Sequence, residues 1–326
     1  MKTHHLLLLL CFSLLMACGG NDERPNGGIK IEVEPIRLDK ELMGMKNKAE
    51  LQQFLNENPW YSKSLYRTFP EDTAFVNRLY TIISNTYFKD FYQEVDRSFG
   101  NLNGLKAEFS AAFSQIKQHY PAFQAPKVYT TLTGLEHDLF VSDSTVIVSL
   151  EAFLGPEARY RPDQPSYILQ RYNKSYIVPS VVRLLSQNFI ESDQKDTMLS
   201  EMIAFGKMFE FTQEMMPNTP QSLIIAMSDN TLANNWHAQD LIWAHFIDKG
   251  LLYEQSRAIK AKYLGERPKV TEIGPSCPGR IGQWLGWRIV QKFRTENPEV
   301  SFEELMKMKD AQKILSMSKY RGLVED

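Results

Sequence analysis

Histidines and acids at helical spacing are the residues from which a metal-dependent hydrolytic centre is most simply built. In His-Glu-x-x-His two imidazoles lie one turn apart on a helix face, with a glutamate beside them as general base. Beyond its first few residues the chain holds only His119, His137, His237 and His245, and no two are four apart. The nearest pair, His237 and His245, would stand about 80° apart around a helix and about 12 Å apart along it, too far to share one ion. Glu136-His137-Asp138 offers mixed ligands but falls where a turn is expected, and polar residues are ordinary there. No metal and no other cofactor is expected. Acyl-transfer and phosphate-cradling motifs are missing as well: there is no Gly-x-Ser-x-Gly elbow, and Gly279-Arg280-Ile281-Gly282 lacks both a clear preceding strand and a closing Gly-Lys-Ser/Thr. Cys277 sits between Pro275 and Pro278 with no sequence neighbour that would lower its thiol pKa, so no nucleophile is assigned to it. The acid pairs Glu303-Glu304 and Glu325-Asp326 lie in a charged C-terminal stretch and read as solvated. No catalytic residue is assigned.

The most distinctive segment runs Pro278-Gly279-Arg280-Ile281-Gly282-Gln283-Trp284-Leu285-Gly286-Trp287-Arg288-Ile289-Val290. On a helix Gly279, Gly282, Gly286 and Val290 share one flank, and each glycine in a helix interior costs about 1 kcal/mol relative to alanine. Close packing against a second helix is the simplest compensation, and a ligand facing the flank is the alternative. Trp236, Asp240 and Trp243 make a second stripe at helical spacing, with Ser228 or Asp229 placed to cap it. Trp236, His237, Asp240, Arg280, Trp284 and Trp287 are therefore the candidate interaction or pocket residues.

At its start the chain has Lys2, then a small-or-apolar stretch over residues 6–17, then polar Gly19-Gly20-Asn21-Asp22-Glu23. Twelve residues rise about 18 Å as a helix, short of the roughly 30 Å hydrocarbon core, so this is a signal peptide and not a span. Leu15-Met16-Ala17-Cys18 resembles the bacterial lipobox, whose cysteine is acylated and becomes the first mature residue; the alternative is an ordinary signal peptide. The expected plan is a signal peptide over 1–17, a lipid anchor on Cys18, a flexible tether over 18–28 and a single domain over 29–326. With Cys11 removed and Cys18 acylated, Cys277 is the one mature thiol left and no intramolecular disulfide can form.

The elements that must carry these residues follow from periodicity. The 326 residues are 43% hydrophobic and 23% charged, and 37 basic against 39 acidic side chains leave no positive excess for a nucleic acid partner. Residues 29–38 alternate as an edge strand, and the β-branched runs at 126–132 and 144–150, joined through Gly134 and Ser142-Asp143-Ser144, suggest a small antiparallel sheet. Helical stripes cover about 47–56, 73–86, 102–119, 174–189, 196–216, 230–249 and 279–295, with Leu105, Phe109, Ala112, Phe113 and Ile116 forming one of them. The expectation is one predominantly helical α+β domain, its small antiparallel sheet packed with long helices.

Several of these segments together resemble the GldB family, Bacteroidetes lipoproteins of the gliding-motility and associated secretion machinery. The resemblance rests on the lipobox, Asp39, Ser149-Leu150-Glu151-Ala152-Phe153-Leu154-Gly155 with Tyr160, and Met202-Ile203-Ala204-Phe205-Gly206-Lys207. It continues through Asn234-Asn235-Trp236 and the Pro278 to Val290 segment as far as Ser318-Lys319-Tyr320. That family is in turn similar to predicted zinc peptidases. The helix that would bear their His-Glu-x-x-His reads Ile177-Val178-Pro179-Ser180-Val181-Val182-Arg183-Leu184-Leu185 here, without histidine or acid, and Glu201 stands near where a third ligand would lie. The resemblance implies a zincin-like scaffold without its metal. It implies a non-catalytic protein, anchored through Cys18 to the outer membrane on its periplasmic side, that binds other envelope lipoproteins or motility and secretion components. The alternative is an envelope hydrolase of peptide or cell-wall substrates, with a pocket between the Trp236 and Trp284 helices.

Overall fold

The computed structural model describes residues 29–323; the expected signal peptide over 1–17, the expected lipid anchor on Cys18, the expected tether over 18–28 and the Glu325-Asp326 pair lie outside them. A four-stranded sheet in the order β1-β2-β4-β3 is formed by β1 (Ile36–Arg37), β2 (Lys127–Thr131), β3 (Leu139–Val141) and β4 (Thr145–Ser149). Helices pack on both of its faces. Val146 and Val148 of β4 point into one apolar cluster, and Ile147 between them joins a second cluster built from the first helices of the chain. A strand buried on both sides reads as an unbroken apolar run, as Val146-Ile147-Val148 does.

The sheet is mixed, not antiparallel. β1 and β2 run parallel, as do β2 and β4, and only β3 and β4 are antiparallel. The reason is the three-residue β3, which adds one further reversal between β2 and β4. The expected edge strand over 29–38 also shrinks to two residues. Ile31 and Val33 donate their backbone N–H groups to the Ser114 and Ser110 hydroxyls of the Asn103–His119 helix, so the segment lies along a helix before it reaches the sheet. Where it does reach the sheet, buried Asp39 fixes it. Its carboxylate accepts from Arg37, from Thr130 of β2 at 2.5 Å and from the Tyr92 hydroxyl at 3.2 Å.

Most of the larger cluster is helix. The expected stripe of Leu105, Phe109, Ala112, Phe113 and Ile116 is buried along Asn103–His119. Met198–Met215 and Ile281–Glu296 form the central pair, and glycines let them meet: a Cβ on Gly206 would come within 2.6 Å of the Gly286 carbonyl carbon, and one on Gly286 within 2.9 Å of Met202 Cα. The glycine flank is thus taken up by packing. The expected helix over 230–249 is two, Asp229–His237 capped by the Ser228 hydroxyl and Gln239–Asp248, separated at Ala238. Several helices come without forewarning, Leu38–Gly44 and Arg257–Leu264 among them. Thr86–Phe99 buries a narrow stripe of Phe91, Val95 and Phe99 four residues apart, while Phe302–Lys307 and Ala311–Ser318 fold the C-terminal stretch back on the core. There Glu304 closes a capping box with Ser301, and Glu303 meets His119 Nδ1 at 2.6 Å.

Candidate functional site

The six candidate residues do not converge on one pocket. Trp284 and Trp287 are core residues, 1% and 2% exposed. Trp236 meets Trp284 edge to face with ring centroids 6.4 Å apart, and the Arg288 guanidinium covers its ring at 3.7 Å. One face of the Trp236 ring is therefore covered by Arg288, and the ring also packs against Trp284. His237 and Asp240 are exposed, and the His237 ring bonds back to the Ala233 carbonyl of its own helix. The Trp287 indole N–H donates to buried Glu210 at 2.7 Å, and Arg294 holds the other oxygen of that carboxylate at the same distance. Trp287→Phe should leave one oxygen of a buried carboxylate unmatched and cost about 1–3 kcal/mol, measured as a lower urea midpoint with an unchanged slope.

Arg280 is different. It opens the Ile281–Glu296 helix from a left-handed backbone conformation, φ 60°, and its side chain is 3% exposed. Its guanidinium donates to the Ile225 and Ala226 carbonyls at 2.9 and 2.7 Å, and its Nε lies 3.2 Å from Glu266. Gly279 is obligatory beside it, because a Cβ there would sit 2.9 Å from the Arg267 backbone nitrogen. A hollow of about 110 Å³ opens at this point between the Ser166–Leu169 turn, the start of the Asp229–His237 helix and the 266–268 and 278–280 segments.

A second arrangement centres on Glu151, in the 3-10 turn after β4. It is 1% exposed, and one oxygen accepts from the Thr133 N–H at 2.5 Å, the Thr133 hydroxyl at 3.2 Å and the Leu135 N–H at 3.3 Å. The other oxygen is buried without a hydrogen-bond partner. Burial pushes this carboxyl up to about 7, against the pull of those donors. The same Gly134-Leu135 loop lines an outward-facing apolar hollow of about 360 Å³ with Ile82, Phe88, Phe91 and Tyr160.

The helix that carries neither histidine nor acid runs Ile177–Leu185. Ile177, Val178, Val181 and Val182 are fully buried in the main cluster, and its one charged side chain is Arg183. Glu201, at the start of the next long helix, pairs at 2.5 Å with Lys260, which also holds Asp196. Further along that helix, Lys207 is buried and donates to the carbonyls of Glu191, Met306 and Met308, tying the C-terminal segment down. His245 bonds the Tyr263 hydroxyl at 3.0 Å, and His137 packs against the Tyr66 ring. Among the described residues, no three His, Cys, Asp or Glu side chains gather where they would hold a metal ion. Burial and nearby Glu272 push the Cys277 thiol up to about 12, far from a thiolate at neutral pH.

Sequence reasoning singled out Arg280 but not its companions Arg171, Arg183 and Glu266, which come from separate elements and share no spacing. Glu151 had one usable signal, as a lone acid inside the apolar run from Val146 to Leu154. No curated protein and no solved structure matches the chain. A family model described as gliding motility protein GldB matches residues 20–322, nearly the whole sequence. The chain belongs to the GldB family of gliding-motility proteins.

Proposed function

We propose that this protein is a non-catalytic, lipid-anchored component of the cell envelope, held by acylated Cys18 on the periplasmic side of the outer membrane. It acts by binding other proteins of a motility or secretion assembly. Family membership supports the setting, and the Ile177–Leu185 helix carries the mechanism. In a zinc peptidase that helix must point imidazoles into a cleft, whereas here its buried face is Ile177, Val178, Val181 and Val182, packed into the core. Glu201, the remaining acid near such a site, is neutralised by Lys260. A scaffold of this kind offers a rigid surface for partner proteins.

Two measurements on the full mature chain test the reading. Metal analysis of the purified protein should find no stoichiometric zinc, and a panel of peptides should remain uncleaved; retained zinc with cleavage would overturn the non-catalytic assignment. For the anchor, Cys18→Ala should abolish labelling by a fatty-acid analogue and release the protein from the membrane fraction. Persistent membrane retention of that variant would contradict anchoring through Cys18.

A further inference from the structure

At the hollow beside Arg280 several cations meet with few acids. Arg171 grips Glu266 with both terminal nitrogens, at 2.6 and 3.0 Å, and Arg280 reaches the same carboxylate through Nε. Arg183, from the Ile177–Leu185 helix, adds its field to both other arginines. It has no ion pair of its own, and no group among the described residues accepts a hydrogen bond from its guanidinium. Arg171 Nε is buried and likewise has no acceptor. Burial first, and then Arg171 and Arg183, push the Arg280 guanidinium down to about 9, with Glu266 opposing. Two guanidiniums therefore share one carboxylate with the charge of a third nearby, and about two positive charges are left over.

Like charges in a site partly closed to water repel strongly, and a structure keeps them together at a cost unless a counter-charge arrives. A purely structural role accounts for the two carbonyl bonds of Arg280 and for the Arg171–Glu266 fork. It does not account for Arg183 or for the unmatched Arg171 Nε. We propose that the hollow lined by Tyr167, Gln170, Arg171, Glu266, Arg267 and Arg280, with the positive charge of Arg183 close enough to act on Arg171 and Arg280, binds a phosphate group.

The choice of phosphate follows from charge and size. A phosphate monoester carries about −1.5 to −2 at neutral pH and several acceptor oxygens, which suits two surplus charges and the unmatched Arg171 Nε better than a single carboxylate does. At about 110 Å³ the hollow falls well below the roughly 300–1,000 Å³ of pockets that enclose whole small molecules, so it takes a head group and leaves the rest of the ligand outside. Free phosphate and the head group of a phosphomonoester lipid share that chemistry. Gln170, Tyr167 and Thr231 supply neutral polar groups at the rim, and Arg267, loosely paired with Glu272 at 3.5 Å, is free to turn toward an anion.

Calorimetry on the full mature chain in detergent tests the site, with inorganic phosphate, a water-soluble short-chain phosphatidic acid and acetate as probes at matched ionic strength. One phosphate probe should saturate at one per chain, and the tighter of the two identifies the source. Arg183→Gln should weaken binding about tenfold, the effect of removing one nearby positive charge, while leaving the urea midpoint unchanged or raised. Arg280→Met should abolish binding, but because Arg280 also ties down two carbonyls the Arg183 variant is the deciding one. The proposal fails if neither phosphate probe saturates, if Arg183→Gln binds as tightly as the native chain, or if acetate binds as well as phosphate.

Discussion

Replacing Gly286 by alanine should cost about 3 kcal/mol or more and leave little folded protein at physiological temperature. Alanine ordinarily gains about 1 kcal/mol over glycine inside a helix, so the expected sign is opposite to the propensity. The reason is local. The added methyl would press on the backbone of Met202 in the Met198–Met215 helix, within 2.9 Å of its Cα, and backbone cannot swing aside as a side-chain tip can. Gly206→Ala should behave alike, its methyl meeting the Gly286 carbonyl carbon at 2.6 Å and Val290 Cγ2 at 2.9 Å. Because both changes push the same two helices apart, the double variant should lose less than the sum of the singles. Gly104→Ala supplies the control: it lies in the first turn of Asn103–His119 with no foreign atom within 4 Å of a new Cβ, and should be neutral or stabilising by a few tenths of a kcal/mol. Urea denaturation followed by circular dichroism separates these cases. A Gly286→Ala midpoint equal to the native one would mean that the two helices are not in backbone contact.

That contact was legible in part from residue spacing, since glycines on one flank of a helical segment lower its propensity and need close neighbours to offset the loss, but only Gly286 meets the Met198–Met215 helix, while Gly282 packs on Leu264 and Gly279 lies before the helix against Arg267. So were the stripe along Asn103–His119 and the cap at Ser228, because periodicity and capping are local properties. The sense of the sheet was not legible. Leu139-Phe140-Val141 is too short to register as a strand, yet its presence turns β4 parallel to β2. Residues 29–35 alternate like a strand, but their partners are two serine hydroxyls some eighty positions away, which no local pattern announces. The charged C-terminal stretch was misleading for a related reason: Glu303 and Glu304 are occupied by His119 and by Ser301, and buried Lys207 donates to two carbonyls of that stretch, Met306 and Met308. Local polarity says that such groups need partners and does not say where the partners come from. The arginine cluster illustrates the same limit, since Arg171, Arg183 and Arg280 are unremarkable among 37 basic side chains until the fold assembles them around Glu266.

Glu151→Gln should remove a pH dependence that the native chain carries. Burial raises the Glu151 carboxyl from 4.5 to about 7 in the folded protein, while in the unfolded chain it titrates at its ordinary value. Between those two pH values the folded state holds the extra proton, so the contribution of this group to stability is complete below about pH 4.5 and disappears as pH rises through 7. A shift of that size is worth about 3 kcal/mol at 1.36 kcal/mol per unit. Other acids act in the opposite sense and at lower pH; Glu296, for example, is held down to about 2 by Lys292 and Lys319. The informative quantity is therefore the stability of Glu151→Gln minus that of the native chain, measured by urea denaturation at several pH values, in which those shared contributions cancel. Glutamine keeps the oxygen that accepts from Thr133 and Leu135, and it places a neutral amide where the unmatched oxygen now lies. The difference should climb by about 3 kcal/mol between pH 4.5 and 8 in favour of the variant. Glu151→Leu should instead lower stability at both ends of that range, because it strands the two N–H groups that the carboxyl now accepts. Parallel curves for the native chain and Glu151→Gln would show that the buried carboxyl is ionised throughout, and that the space around its second oxygen is wetter than its 1% exposure implies.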